Sequence, residues 1–75
     1  MEIPITMRGY PEAHFTDLSG LECSLRGSSR APSAVWFGVD VDLQGRQTMS
    51  MHLSREHVAA LLPMLQRFVD SGFIV

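Results

Sequence analysis

The residues of this 75-residue chain that could do chemistry are His14, His52 and His57, the lone thiol Cys23, the carboxylates Asp40 and Asp42, and the loop Gly27-Ser28-Ser29-Arg30. Three histidines suggest zinc, but His52 and His57 straddle a strand-to-helix junction and share no helix face. With no cysteine pair beside them, no ligand spacing of a known kind arises, and no metal or other cofactor is expected. His52 is expected to face solvent from a strand and His57 to sit in the first turn of a helix. Cys23 lies between Leu21 and Leu25 on the inward side of a strand, where a thiol is packed rather than activated. Asp40 and Asp42 are neighbours on one strand face. A paired-carboxylate acid–base site would need an enclosing cleft, which so short a chain scarcely supplies. Backbone N–H groups, two hydroxyls and the Arg30 guanidinium in the Gly27–Arg30 loop could hold a phosphate or a partner's carboxylate. The expected class is non-enzymatic.

Composition narrows the field in the same direction. The chain has six Arg, no Lys, eight acidic residues and a net charge of −2, and 45% of its residues are hydrophobic. Such a chain folds as one small domain. Its pI near 5.8 and scattered Arg residues argue against nucleic-acid binding, which wants a clustered cationic face. All-Arg usage is read mainly as a GC-rich genome, with Arg26 and Arg30 the two placed for recognition. No apolar run reaches the roughly 18 residues of a membrane span, and the N-terminus lacks the pattern of a secretory signal, so a cytoplasmic protein without membrane contact is expected. One cysteine excludes an internal disulfide and leaves self-association as the available staple.

Periodicity supplies the elements that position these groups. Residues 1–19 read weakly: Ile3, Ile5 and Met7 alternate as in a short edge strand beside Pro4, and Ala13–Thr16 could be extended. Residues 20–53 read as an antiparallel meander. Leu21, Cys23 and Leu25 alternate with Glu22, Ser24 and Arg26; Val35, Phe37, Val39, Val41 and Leu43 alternate with Trp36, Gly38, Asp40 and Asp42. Gln44-Gly45-Arg46 suits a hairpin, and Gln47–Leu53 is expected to return antiparallel with Met49, Met51 and Leu53 inward. Ser54 is a good helix N-cap and Glu56 suits the first turn. Over residues 54–72, Val58, Leu61, Leu62, Leu65, Phe68 and Val69 fall within an arc of about 120°, one core-facing stripe. Gly72 is placed to end the helix, with Phe73 packing back. Pro63, opposite the stripe, is expected to bend the helix rather than break it. The fold class is α+β: a three- to four-stranded antiparallel β-meander packed on one C-terminal α-helix.

One helix covers one face of a sheet. The other face is then expected to display Glu22, Ser24, Arg26, Trp36, Asp40, Asp42, Thr48, Ser50 and His52. A tryptophan among charges is the kind of residue that dominates binding interfaces. Three fates for this face stay open: a partner surface centred on Trp36; cover by the N-terminal segment with Tyr10 and Phe15; or a homodimer through the sheet.

Two stretches carry a resemblance. Glu22–Ser29 followed by Val35-Trp36-Phe37-Gly38, and Met51–Val58 continuing through Leu61–Val69 to Gly72, together resemble a set of small phage and prophage proteins of mostly unassigned role. The resemblance spans residues 20–72, while the N-terminus matches no pattern of that set. It implies a protein that binds a host protein complex, in the manner of anti-CRISPR and other anti-defence proteins of similar size. Trp36, Arg26, Glu22, Asp40 and His52 on the uncovered face, with Arg30 in the loop, are the expected contact residues. The alternatives are a nucleotide or small-molecule binder using Ser28, Ser29 and Arg30, and an assembly protein that oligomerises through its sheet.

Overall fold

The structure, a computed structural model, describes residues 1–28, 33–40 and 50–75. Four strands form one antiparallel sheet in the order of the chain: β1 (Ile5–Met7), β2 (Pro11–Thr16), β3 (Glu22–Gly27) and β4 (Val35–Val39). A single helix, α1 (Arg55–Ser71), follows. The α+β meander expected from periodicity is the fold found, but the strands are distributed differently. The N-terminal segment supplies two strands of the sheet itself. Pro11, Ala13 and Phe15 are buried while His14 and Thr16 are exposed, the alternation of a half-buried strand. Pro11 opens the strand, where its missing N–H costs least.

The return strand over Gln47–Leu53 is not found among the described residues. Residues 50–53 lie outside any strand and attach to the β2–β3 turn, where the Leu18 amide donates to the His52 carbonyl at 2.9 Å. Met51 and Leu53 still pack against the core and His52 is exposed, so the alternation was legible even though the pairing was not. The hairpin at Gln44–Arg46, and the positions Val41, Asp42, Leu43, Thr48 and Met49, lie outside the described residues.

The core gathers Ile3, Ala13, Phe15, Cys23, Leu25, Leu61, Met64 and Ile74 between the sheet and the helix. The molecule measures 18 Å along its shortest axis. That accommodates a sheet and a helix about 10 Å apart but no third layer.

The helix differs from its expected orientation. Its buried residues are His57, Leu61 and Met64, with Phe68 partly buried on the same side. Those positions recur at i, i+4, i+7 and i+11, a core stripe centred about 100° from the line through Val58, Leu62, Leu65 and Val69. Val58, Leu62 and Val69 are exposed. The broad apolar arc is therefore two stripes, of which the sheet covers one. At the C-terminus Gly72 adopts φ +86° and donates its N–H to the Phe68 carbonyl at 2.8 Å, as expected of a left-handed cap. The residue that packs back is Ile74, not Phe73, which stays exposed. Arg67 Nε holds the Ile74 carbonyl at 3.0 Å and fixes the tail on the core. Helix α1 runs unbroken through Pro63, which lies on the solvent side, where water can satisfy the carbonyl that proline leaves without a donor.

Adjacent leucines test this orientation. Leu61 is 1% exposed and Leu62 59%. Leu61→Ala is expected to lower the unfolding free energy by about 2–5 kcal/mol, and Leu62→Ala by less than about 0.5 kcal/mol. Urea denaturation measures both; equal losses would contradict the observed helix rotation.

Candidate functional site

Among the described residues, a dense polar cluster lies where β2 ends and α1 begins. Asp17 Oδ1 accepts from the amides of Ser19 and Leu21, each at 2.9 Å, and Oδ2 accepts from the His52 amide at 2.9 Å. The His52 amide above all, with those of Leu21 and Ser19, holds this carboxyl below its ordinary value of 3.8, against the opposing push of desolvation. Asp17 thus closes the β2–β3 turn and ties residues 50–53 to it.

His57 completes the junction. It sits in the first turn of α1, as its position suggested, and is buried there. The Ser54 hydroxyl accepts from the His57 amide at 3.1 Å, and the Ser54 amide donates to His57 Nδ1 at 3.1 Å. This is a capping box with histidine where glutamate or glutamine is usual. Because Nδ1 accepts, the proton belongs on Nε2, which donates to the Thr16 carbonyl at 2.8 Å. The Phe15 ring lies 5.9 Å from the imidazole.

Serine, histidine and aspartate therefore meet here, and Ser54 Oγ lies 2.8 Å from His57 Nδ1. The arrangement is nevertheless a fastening rather than a nucleophile with its base. Ser54 Oγ is engaged in the cap, Nε2 is committed to a backbone carbonyl, and each Asp17 oxygen faces backbone amides rather than the imidazole. Cys23 is also enclosed, at 0% exposure. Burial first, then the nearby charges of Asp17 and Asp40, raises its thiol above the ordinary 9.0. Among the described residues no group of three or more His, Cys, Asp or Glu could hold a metal ion.

The uncovered face of the sheet is built by register. Glu12 pairs with Arg26 and Arg26 with Trp36, so Thr6, Glu12, Arg26 and Trp36 form one cross-strand row. His14, Ser24 and Gly38 form the next, and Thr16, Glu22 and Asp40 the third. Side chains directly opposite in antiparallel strands share a face. The structure thus brings together four of the expected contact residues: Trp36, Arg26, Glu22 and Asp40. His52 is not among them. It follows the sheet in a segment tied to the β2–β3 turn, because Asp17 captures its amide. Arg30 lies outside the described residues. Glu12 and His14 are additions, and the alternation of Pro11–Thr16 was the signal that could have revealed them.

This face is fixed by its own bonds. Ser24 Oγ, although on the outer side, is buried and donates to Asp40 Oδ1 at 2.7 Å. Thr16 Oγ1 donates to Glu22 at 3.1 Å, and His14 Nε2 meets Glu12 at 3.1 Å. Trp36 remains 52% exposed and Phe37, on the edge strand beside it, 40%. Arg26 Nε is buried without a hydrogen-bond partner, and no carboxylate among the described residues forms an ion pair with its guanidinium. A buried donor left unpaired costs about 1–3 kcal/mol. Arg26, Trp36, Ser24, His14 and Asp40 border an open depression of about 480 Å³. The N-terminal segment does not fold over this face as a cover, since it is spent on β1 and β2. Comparison with family models, curated proteins and solved structures finds no match for the chain.

Two measurements address the junction and the thiol. A carboxyl whose folded value is lowered binds its proton more readily in the unfolded chain, so its stabilising effect is complete above about pH 5 and is lost as pH falls through and below the ordinary value. Thermal melts of the native protein should therefore decline below that point, and Asp17→Asn, whose NH₂ must face either the His52 amide or those of Ser19 and Leu21 donor against donor, should melt lower at neutral pH with a shallower acid decline. An unchanged acid profile in Asp17→Asn contradicts the role given to Asp17. Cys23 should react with an aromatic disulfide reagent only as fast as the protein opens, and at full speed in denaturant; rapid labelling of the native protein counts against its enclosure.

Proposed function

We propose that this chain is a small non-enzymatic binding protein, of phage origin, that inhibits a bacterial defence complex in the host cytoplasm through the sheet face around Trp36. The observation that carries the reading is a half-exposed tryptophan beside an arginine that no carboxylate among the described residues pairs, held on a hydrogen-bonded sheet. Tryptophan and arginine lead the residues that dominate protein interfaces, because one offers a large rigid apolar area and the other a fork of donors. Arg26 supplies donors that a partner carboxylate or carbonyl can meet. Glu22 and Asp40, one row apart from Ser24 at the other end of the face, supply negative charge, so the surface has a polarity that fixes how a partner docks. The resemblance of residues 20–72 to small phage proteins supplies the class of partner.

A second reading has its own observation. Tyr10, Ser28, Val35, Phe68 and Phe73 line a cavity of about 370 Å³ between the sheet end and the C-terminus of α1. Its size is that of small-molecule sites, and it adjoins the Gly27-Ser28 loop that suits an anion.

Plaque formation by a targeted phage, in cells with active CRISPR immunity, distinguishes the readings. The native protein is expected to restore plaques, and Trp36→Ala with Arg26→Glu to abolish the effect while circular dichroism shows a retained fold. Loss of Trp36 alone should weaken partner binding by about 30-fold or more. Full activity in the folded double variant overturns the assigned face. If the native protein protects no phage and a nucleotide panel raises its melting temperature, the cavity reading takes its place.

A further inference from the structure

Helix α1 carries a second apolar stripe that the described elements leave exposed. Val58, Leu62, Leu65 and Val69 recur at spacings of four, three and four, the seam pattern of paired helices. Val58 is 47% exposed, Leu62 59% and Val69 76%, and Leu65 is partly buried at the border with the core stripe.

The charges beside this stripe indicate what covers it. Arg55 opens the helix and Asp70 lies one residue from its end. Each is at the wrong end for the helix's own dipole, which favours anions at the N-terminus and cations at the C-terminus. Among the described residues Arg55 forms no ion pair, and Asp70 is met by the amide of Gln66, at 3.0 Å, and by no cation. At 100° per residue both lie on the same flank of the exposed stripe, away from the sheet. In a two-fold antiparallel pair of these helices, Val58 faces Val69 of the second copy and Leu62 faces its Leu65. That alignment sets Arg55 within about one turn of Asp70 of the second copy, and each charge then sits at the end of the neighbouring helix that favours it. A two-fold contact repeats this twice.

We propose that a second copy of this chain covers the exposed stripe, forming an antiparallel helix-to-helix dimer closed by two Arg55–Asp70 pairs. One helix face per copy offers less than the roughly 800 Å² of a standard interface, so the dimer belongs to the micromolar range or weaker. The dimer leaves the Trp36 face of each copy open, on the opposite side of the sheet from the helix. The inference does not rest on the function proposed above.

Sedimentation equilibrium from micromolar concentrations to about 1 mM tests the pairing. The mass is expected to rise from 8.4 kDa toward twice that value. Leu62→Glu, at an exposed site, should leave the protein folded and monomeric. Arg55→Asp alone and Asp70→Arg alone should each weaken association by about tenfold, through loss of two pairs and gain of like-charge contacts. The double exchange should restore it, while Trp36→Ala leaves it unchanged. A monomer at every concentration overturns the proposal. So does a dimer indifferent to Leu62→Glu, which places the contact elsewhere, or one that the single charge reversals do not weaken.

Discussion

The carboxylate of Asp17 is the constraint on which the rest of this structure depends. Three backbone amides from two distant parts of the chain converge on its two oxygens. One side of that convergence is local and closes the β2–β3 turn. The other reaches 35 residues along the chain and fixes the segment that leads into α1. The same junction is bolted a second time by His57, whose two ring nitrogens serve the helix cap and the end of β2. Charged acceptors bind amides more strongly than neutral ones do, and a buried carboxylate is tolerable only when its oxygens are met in this way.

This junction explains how a domain with eight buried core side chains among its described residues holds one arrangement. A small domain buries a modest share of its surface and has a thin stability margin. Here polar contacts supply the register that a larger core would impose through packing alone. The cost is specialisation: Ser54, His57 and Asp17, the residues that most resemble a catalytic set, are consumed in holding the helix to the sheet. Among the described residues, what remains available to other molecules is the open sheet face and the cavity beside the end of α1.

Two surfaces follow from having one helix and one sheet. A helix can bury only part of its circumference against a sheet, and a sheet with one helix is covered on one face. The first leftover is polar and carries Trp36 and Arg26; the second is apolar and runs along Val58, Leu62 and Val69. They lie on opposite layers of a molecule 18 Å thick, so that occupation of one does not obstruct the other.

Features that depend on near neighbours were legible in the chain alone. Alternation placed Cys23 and Leu25 inward and Trp36 outward, and Ser54 and Gly72 bounded the helix, because caps and pleats act within a few residues. The apolar arc of the helix was legible as well, but not which part of it meets the sheet, since both stripes have the same residue types and periodicity. Nor could the sequence alone show that residues 5–16 form two strands, where proline and polar residues weaken the pattern. The ties from Asp17 to His52 and from His57 to Thr16 join residues 35 and 41 apart. No periodicity encodes such contacts; they exist because the folded chain brings unsatisfied amides and a carbonyl to a carboxylate and an imidazole that meet them. The sequence by itself determined the class of fold and the outward placing of Trp36, Arg26 and Glu22, because alternation acts between near neighbours; the tertiary structure decided which helix stripe is buried, that β2 adds Glu12 and His14 to the Trp36 face, and that Ser54, His57 and Asp17 fasten the helix to the sheet, because those pairings join residues distant in the chain.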